Sequence, residues 1–448
     1  MPEYAMLTKQ TIKKEQASAL FDPLYIGKLK LNGRMAKSAT VETLCTKEGF
    51  ITDEFIQFYK EIAAGETPLI ITGAASYDAY SRGVPHQLSI DADDKVEGLR
   101  RLASTVHQYE SKIFVQIYHT ARQALPEPVG RADAQAPSVV YEPTLGVRPR
   151  AMSVAEIHET IRLYTDAVER CKNAGIDGVQ IHAAHGYLIS EFLTPHTNRR
   201  KDQYGGNFEN RTRFLVELYR AVRQRVGDDY PLILKINGAD DLPFRKGLST
   251  TELVKVAKKM EHEGIDAVEI SAGHYESCTT FERGQWKGYT RAMLKHGPGQ
   301  AFSWPKRLIM HVFGPLIDRF FNQVAGFSEG FNLNYAQQFS KVLNVPVICV
   351  GGFVNKATMD QALANQECDM VSVARGLLAD PHLYKHLKED RPGPVCDYCN
   401  ACFTKPGSSP IGCYNEDVQA QKIKQPDVKQ QLAQIQETQV LTLDSNAG

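Results

Sequence analysis

The sequence lacks an excess of charge of either sign: 52 Lys and Arg stand against 52 Asp and Glu. A balanced chain has no global field to draw it to nucleic acid or to a membrane, so a small-molecule partner is expected. No apolar run approaches the roughly 20 residues of a membrane span, and residues 1–16 are polar and lysine-rich, without a signal-peptide core. A cytoplasmic location is therefore expected. No Gly-x-Gly-x-x-Gly follows an early strand pattern, so the phosphate turn of an open dinucleotide-binding sheet is missing.

What is present is an alternation. Eight short β-branched runs occur at 34–40, 69–73, 113–117, 178–182, 232–237, 267–271, 346–350 and 370–374. Helical patterns lie between them. The clearest runs from Ser153 to Gly175, where Ile157, Ile161, Tyr164, Val168 and Cys171 share one face. Ser153 with Glu156 reads as a capping box and Gly175 as a stop; Ser249, Glu252 and Gly264 repeat the pattern. Eight strand and helix units predict an α/β fold, a (β/α)8 TIM barrel, whose chemistry sits just after the strand C-termini.

The predicted organisation is an N-terminal extension over 1–19, the barrel over 20–392, a Cys-rich segment over 393–417 and a disordered tail over 418–448. Two connections, 119–152 and 275–330, exceed ordinary βα loops. The second, with Trp286, Tyr289 and Trp304, is expected to act as a lid that shapes the pocket. The pattern fixes no oligomeric state, and a homo-oligomer is compatible with it.

The strongest constellation is His182-Ala183-Ala184-His185-Gly186-Tyr187, at the end of the fourth strand run. Two imidazoles three residues apart can both donate to one carbonyl oxygen, and a nearby phenol can supply a proton. The alternatives are a zinc site, for which no further ligand stands at suitable spacing, and a pair of buried structural histidines. After the last two strands, Gly351-Gly352 and Ala374-Arg375 provide close backbone approach and a guanidinium, a combination suited to phosphate.

From His182 through His-Gly-Tyr-Leu-Ile-Ser-Glu-Phe-Leu-Thr-Pro-His-Thr-Asn to Arg211, the sequence closely resembles the old yellow enzyme family of NADH:flavin oxidoreductases. Within it, the likeness is to the branch of bacterial ene-reductases, 2,4-dienoyl-CoA reductase and trimethylamine dehydrogenase, over about residues 20–415. The resemblance implies FMN as cofactor, NADPH or NADH as hydride donor, and an activated alkene as acceptor. It implies flavin contacts from Ser38, Ala39, Thr40, Ala74, Gln116 and Lys235, with Lys235 near the pyrimidine edge. It also implies that His182 and His185 hold the substrate oxygen and that Tyr187 donates a proton. Many ene-reductases of the family carry Cys or Thr where this chain has Val41, which cannot make their bond near the ring. The alternatives on the same scaffold are an FMN and iron–sulfur dehydrogenase oxidising an amine or steroid-like substrate, and a non-catalytic flavin-binding barrel.

Cys396, Cys399, Cys402 and Cys413 form a Cys-x-x-Cys-x-x-Cys motif with a fourth thiol. Four thiolates suit a [4Fe-4S] cluster, with structural zinc or free thiols as the alternatives.

Overall fold

The computed structural model describes residues 19–423 except 125–132, 244 and 406–408. Eight parallel strands close into a barrel: β1 (Met35–Lys37), β2 (Leu69–Ile71), β3 (Lys112–Ile117), β4 (Gly178–Ala183), β5 (Leu232–Asn237), β6 (Ala267–Ser271), β7 (Val347–Val350) and β8 (Met370–Val373). Each pairs with its neighbour in sequence, and β8 returns to β1 through Val371↔Met35, Ser372↔Ala36 and Val373↔Lys37. This is the predicted (β/α)8 architecture. The strands match the eight predicted runs to within a few residues. The first is shorter than expected because the chain after Lys37 leaves the ladder.

Local chemistry explains where the helices begin. Ser153 accepts from the Glu156 amide and Glu156 reaches back to the Ser153 amide, starting Val154–Asn173; Ser249 and Glu252 start Thr250–Glu263 in the same way. Gly264, at φ +103°, ends the second of these in the left-handed region that glycine enters without a Cβ clash. The helices' apolar faces and the strands' outward residues, such as Val115, Ile181 and Leu234, form the main core.

The barrel interior is layered. At the N-terminal end it is filled by Leu69, Phe114, Ile233, Ala267, Ile348 and Met370, closed below by Ile26 and Leu31 of the hairpin Leu24–Ile26 and Leu29–Leu31. One step towards the strand C-termini the inward residues become polar: Gln116, Gln180, Lys235 and Glu269, all buried. The register places Gln116 beside Gln180, and His182 beside Lys235, itself beside Glu269.

The two long connections differ in kind. The first holds a short pair of strands, Gln135–Ala136 and Arg150–Ala151. The second forms helices Tyr289–His296 and Trp304–Val324, anchored by a cluster of Trp286, Tyr289, Ala325 and Phe321. Trp304, expected to line the pocket, is instead 76% exposed. Of the predicted tail, residues 418–423 belong to helix Glu416–Ile423, in which Val418 is buried and Lys422 donates to the Leu378 carbonyl. Residues 1–18 and 424–448 lie outside the described residues.

Gly178 faces the barrel interior, where a Cβ would run into the Phe114 ring and stand 2.7 Å from the Pro231 carbonyl oxygen. Gly178→Ala is expected to cost about 1–3 kcal/mol by overpacking, read as a lower urea midpoint at unchanged m. An unchanged midpoint would mean that the Phe114 ring moves aside freely.

Candidate active site

The polar layer is one connected hub. Gln116 donates to Gln180 (2.6 Å), Gln180 donates to Glu269 (2.5 Å), and Ser38 donates to the other Glu269 oxygen (3.0 Å). The Lys235 ammonium stands 3.2 Å from Ser38 Oγ and 3.4 Å from Glu269. A buried carboxylate is costly unless hydrogen-bonded and paired, and here Ser38, Gln180 and Lys235, from three parts of the barrel, supply those partners.

Above the hub stand the two histidines and Tyr187. Centroids of His182 and His185 lie 5.1 Å apart, and those of His182 and Tyr187 lie 4.9 Å apart. Burial holds both imidazoles well below the usual histidine range, with His185 and then Lys235 adding to the effect at His182, and Lys235 doing so at His185. Both are therefore neutral. His182 Nδ1 accepts from the Ala184 amide, which leaves the ring hydrogen on Nε2. His185 Nε2 lies 2.7 Å from Ser271 Oγ; when the hydroxyl donates there, the His185 hydrogen sits on Nδ1. Both rings then offer one N–H.

The backbone at His185 is constrained. Its φ is +61°, followed by Gly186 at +76°. The turn is held from outside by Asn237, which accepts from the His185 amide, and by Gln123, which donates to the His185 carbonyl. Gln123 also accepts from the Tyr275 amide, tying the long sixth connection to this turn. A Cβ at Gly186 would stand 2.5 Å from the His274 ring. Burial raises the Tyr187 phenol above its ordinary value, and its oxygen lies 3.5 Å from that of Tyr275. Tyr118 packs edge-on against Tyr187, and Phe281 stacks on His185.

The remaining predicted residues fall around this floor. Thr40 accepts from Lys37, which also donates to the Ile71 carbonyl; burial lowers the Lys37 ammonium to about 8. The Gly73 amide donates to Glu42 and Tyr59, and the Ala74 carbonyl accepts from Gln87. Ala39, Thr40 and Val41 are half-buried, while Ala74 is buried. Gly352 has φ +76°, and its carbonyl accepts from Tyr398, whose ring stacks on Phe327. Arg375, following Ala374, turns partly toward the Cys-rich segment: Nη1 donates to the Arg283 carbonyl and to Asn400, and the guanidinium lies 4.6 Å from the Tyr398 ring centre. Nε and Nη2 take no part in those bonds.

Sequence reasoning passed over Glu269, Ser271 and Asn237, though each is a polar residue inside or ending a predicted strand. The strand-end rule that selected His182 selects Ser271 and Asn237 too. Tyr275 and Phe281 lie early in the long sixth connection and carry no local signal of their orientation.

Burial raises the Cys402 thiol to about 12 against the opposing Arg375, with Cys396, Cys399 and Cys413 adding to the rise. Among the described residues, however, no three Cys, His, Asp or Glu side chains converge to hold a metal ion.

A flavin is consistent with the remaining residues. The hub offers donors and acceptors to the polar edge of a flat heterocycle. Ser372 Oγ, which shares its side of β8 with the interior Met370 by strand alternation, is buried without a partner. Glycines after β7 and a guanidinium after β8 suit an anionic tail.

Because both histidines are neutral in the fold and ordinary when unfolded, the unfolded chain binds more protons below about pH 6.5. Stability should therefore fall on acidification, by up to about 1.4 kcal/mol per pH unit for each histidine. Replacing both by Asn should flatten that part of the slope. Urea unfolding at neutral pH and at about pH 5.5 measures it; an identical slope in the variant would mean that the pair titrates normally in the fold.

Comparison with known proteins places these residues in a family. A family model described as "NADH:flavin oxidoreductase / NADH oxidase family" matches residues 19–297 and 309–393. The NADH oxidase of Thermoanaerobacter brockii is 34% identical over 432 residues, covering 92% of this chain and 59% of the relative. The chain thus spans little more than half of that longer protein. The NADPH dehydrogenase of Geobacillus thermodenitrificans is 36% identical over 366 residues, covering 82% of this chain and 92% of the relative. A solved 2-naphthoyl-CoA reductase in complex with 2-naphthoyl-CoA superposes with a TM-score of 0.74 at 25% identity, covering 90% of this chain and 58% of that one. The chain belongs to the NADH:flavin oxidoreductase / NADH oxidase family, the old yellow enzyme family that its His182–Arg211 segment resembles.

Proposed function

We propose that the chain is an FMN-dependent NAD(P)H oxidoreductase that reduces activated alkenes, α,β-unsaturated carbonyl or dienoyl compounds. The observation that carries this reading is the pair of neutral imidazoles and the protonated phenol, set together above a polar barrel floor. The flavin would be held by Ser38, Ala39, Thr40 and Ala74 along the first two strand ends, by Gln116 and Lys235 at its pyrimidine edge, and by Gly351, Gly352, Ala374 and Arg375 at its phosphate. When bound, FMN supplies hydride transfer from NADPH or NADH to the β carbon of the alkene.

The chain's own residues do the rest. The Nε2–H of His182 and the Nδ1–H of His185 donate to the substrate oxygen, on which charge develops as the β carbon receives hydride. Ser271 is a positioning residue, because its hydroxyl on Nε2 selects the His185 tautomer that donates. Lys235 offsets negative charge at the pyrimidine edge, with Glu269 taking a share of its field. Tyr187 gives its proton to the α carbon, and burial keeps that proton in place until it is needed. Tyr118, Tyr275 and Phe281 wall the pocket against water.

In this reading Tyr187→Phe slows the alkene half-reaction by about 10²–10⁴-fold and leaves nicotinamide oxidation intact. Stopped-flow measurement of the two half-reactions separates them, and equal slowing of both would remove Tyr187 from the proton-donor role.

The four cysteines are assigned no step in this scheme. Cys402→Ala should therefore retain flavin content and NAD(P)H-driven enone reduction. If the variant instead loses turnover together with bound iron and labile sulfide, electrons pass through a cluster there, and the oxidative dehydrogenase reading takes over.

A further inference from the structure

Helix Trp304–Val324 is apolar on two sides. Its inner side is seated: Phe321 packs on Trp286, Gly314 and Asp318 are buried, and Asp318 accepts from the Thr290 amide and hydroxyl. Its outer side carries Trp304, Leu308, Val312, Leu316, Phe320 and Val324 at a spacing of four, each 52–76% exposed. Ile309 and Phe313 widen this ridge and are more than half exposed as well. Each step of four advances roughly 40° round the axis, so the ridge is a continuous stripe about 30 Å long that winds across the solvent side of the helix.

Charge is distributed unevenly around it. Residues 283–324 hold seven Lys and Arg but a single carboxylate, Asp318, which is buried against Thr290. On the helix itself Arg307, His311 and Arg319 are exposed beside the stripe, and Lys287, Arg291 and Lys295 are exposed on the segment that packs against it. The neutrality of the whole chain thus conceals a cationic, apolar patch. A helix with a large apolar face edged by Lys and Arg is suited to lie in a bilayer interface, its stripe among the acyl chains and its cations at the headgroups. Among the described residues no helix is long and apolar enough to cross a membrane, so the fit is to a surface.

We propose that this face docks on an anionic lipid surface. Charge decides against the other natural occupant, a second copy of the chain. A two-fold contact would set the same patch against itself, and an antiparallel pairing centred near Phe313 would put Arg307 opposite Arg319 with no exposed carboxylate on the helix to separate them. Anionic headgroups supply the missing charge. The inference does not depend on the flavin chemistry, since none of these residues belongs to that site.

The test is sedimentation of the full chain with phosphatidylcholine vesicles, with and without phosphatidylglycerol. The protein should pellet with the anionic vesicles, remain largely in solution with the neutral ones, and be released from the anionic ones by salt. Arg307→Gln and Arg319→Gln should each weaken anionic partition by roughly fivefold. Leu316→Glu with Phe320→Glu should abolish it, with enone reduction and thermal melting unchanged because both positions face solvent. The proposal is overturned if the unaltered chain stays in solution with anionic vesicles, or if the double Glu variant pellets as well as the parent. It is also overturned if light scattering shows a dimer that the double Glu variant breaks while neither form binds vesicles; the stripe is then a subunit contact.

Discussion

The carboxylate of Glu269, inside the barrel, is the constraint around which the site is arranged. It is fully buried and meets Ser38 of the chain leaving β1, Gln180 of β4, through it Gln116 of β3, and Lys235 of the adjacent β5. An ion there is tolerable only with every partner in place, so four strand ends are fixed relative to one another by the cost of leaving it unsatisfied. His182, two residues beyond this layer, and His185 in the turn that follows inherit that rigidity. Apolar packing closes the lower barrel; polar satisfaction aligns its upper rim.

Much of this was legible in the sequence because the signals were local. Alternating strand and helix patterns, and Ser-x-x-Glu at two helix starts, depend on neighbours within a few residues. His182, His185 and Tyr187 were legible for the same reason: one strand end brings them together. Glu269 was not, since its meaning comes from partners up to 231 residues away. A glutamate in an apolar strand reads as an exception until the register shows what it faces. The same holds for Arg375, whose sequence context suggests phosphate but whose Nη1 is drawn to Asn400 by a return of the chain that no pattern near residue 375 announces.

The long sixth connection shows how one segment can serve two surroundings. Its first residues, Tyr275 and Phe281, turn inward and join the aromatic wall. Its later helix turns an apolar ridge to solvent, the tryptophan that had suggested a pocket residue included. Aromatic content alone does not indicate direction. Periodicity does, and the four-residue spacing of the ridge from Trp304 to Val324 is visible in the sequence once the helix boundaries are known.

The positive φ of His185 has a consequence for which residues the turn can accept. Left-handed backbone is costly for most side chains and bearable for Asn, Asp and His. In the proposed function a substituent there must also present an N–H to an oxygen, which an aspartate cannot do once ionised. Torsion and hydrogen-bonding capacity together leave a vocabulary of two, histidine and asparagine. The backbone thus filters the chemistry of this position before any substrate arrives, and a search for altered specificity would find more freedom at Phe281, which leans on the ring, than at the ring itself.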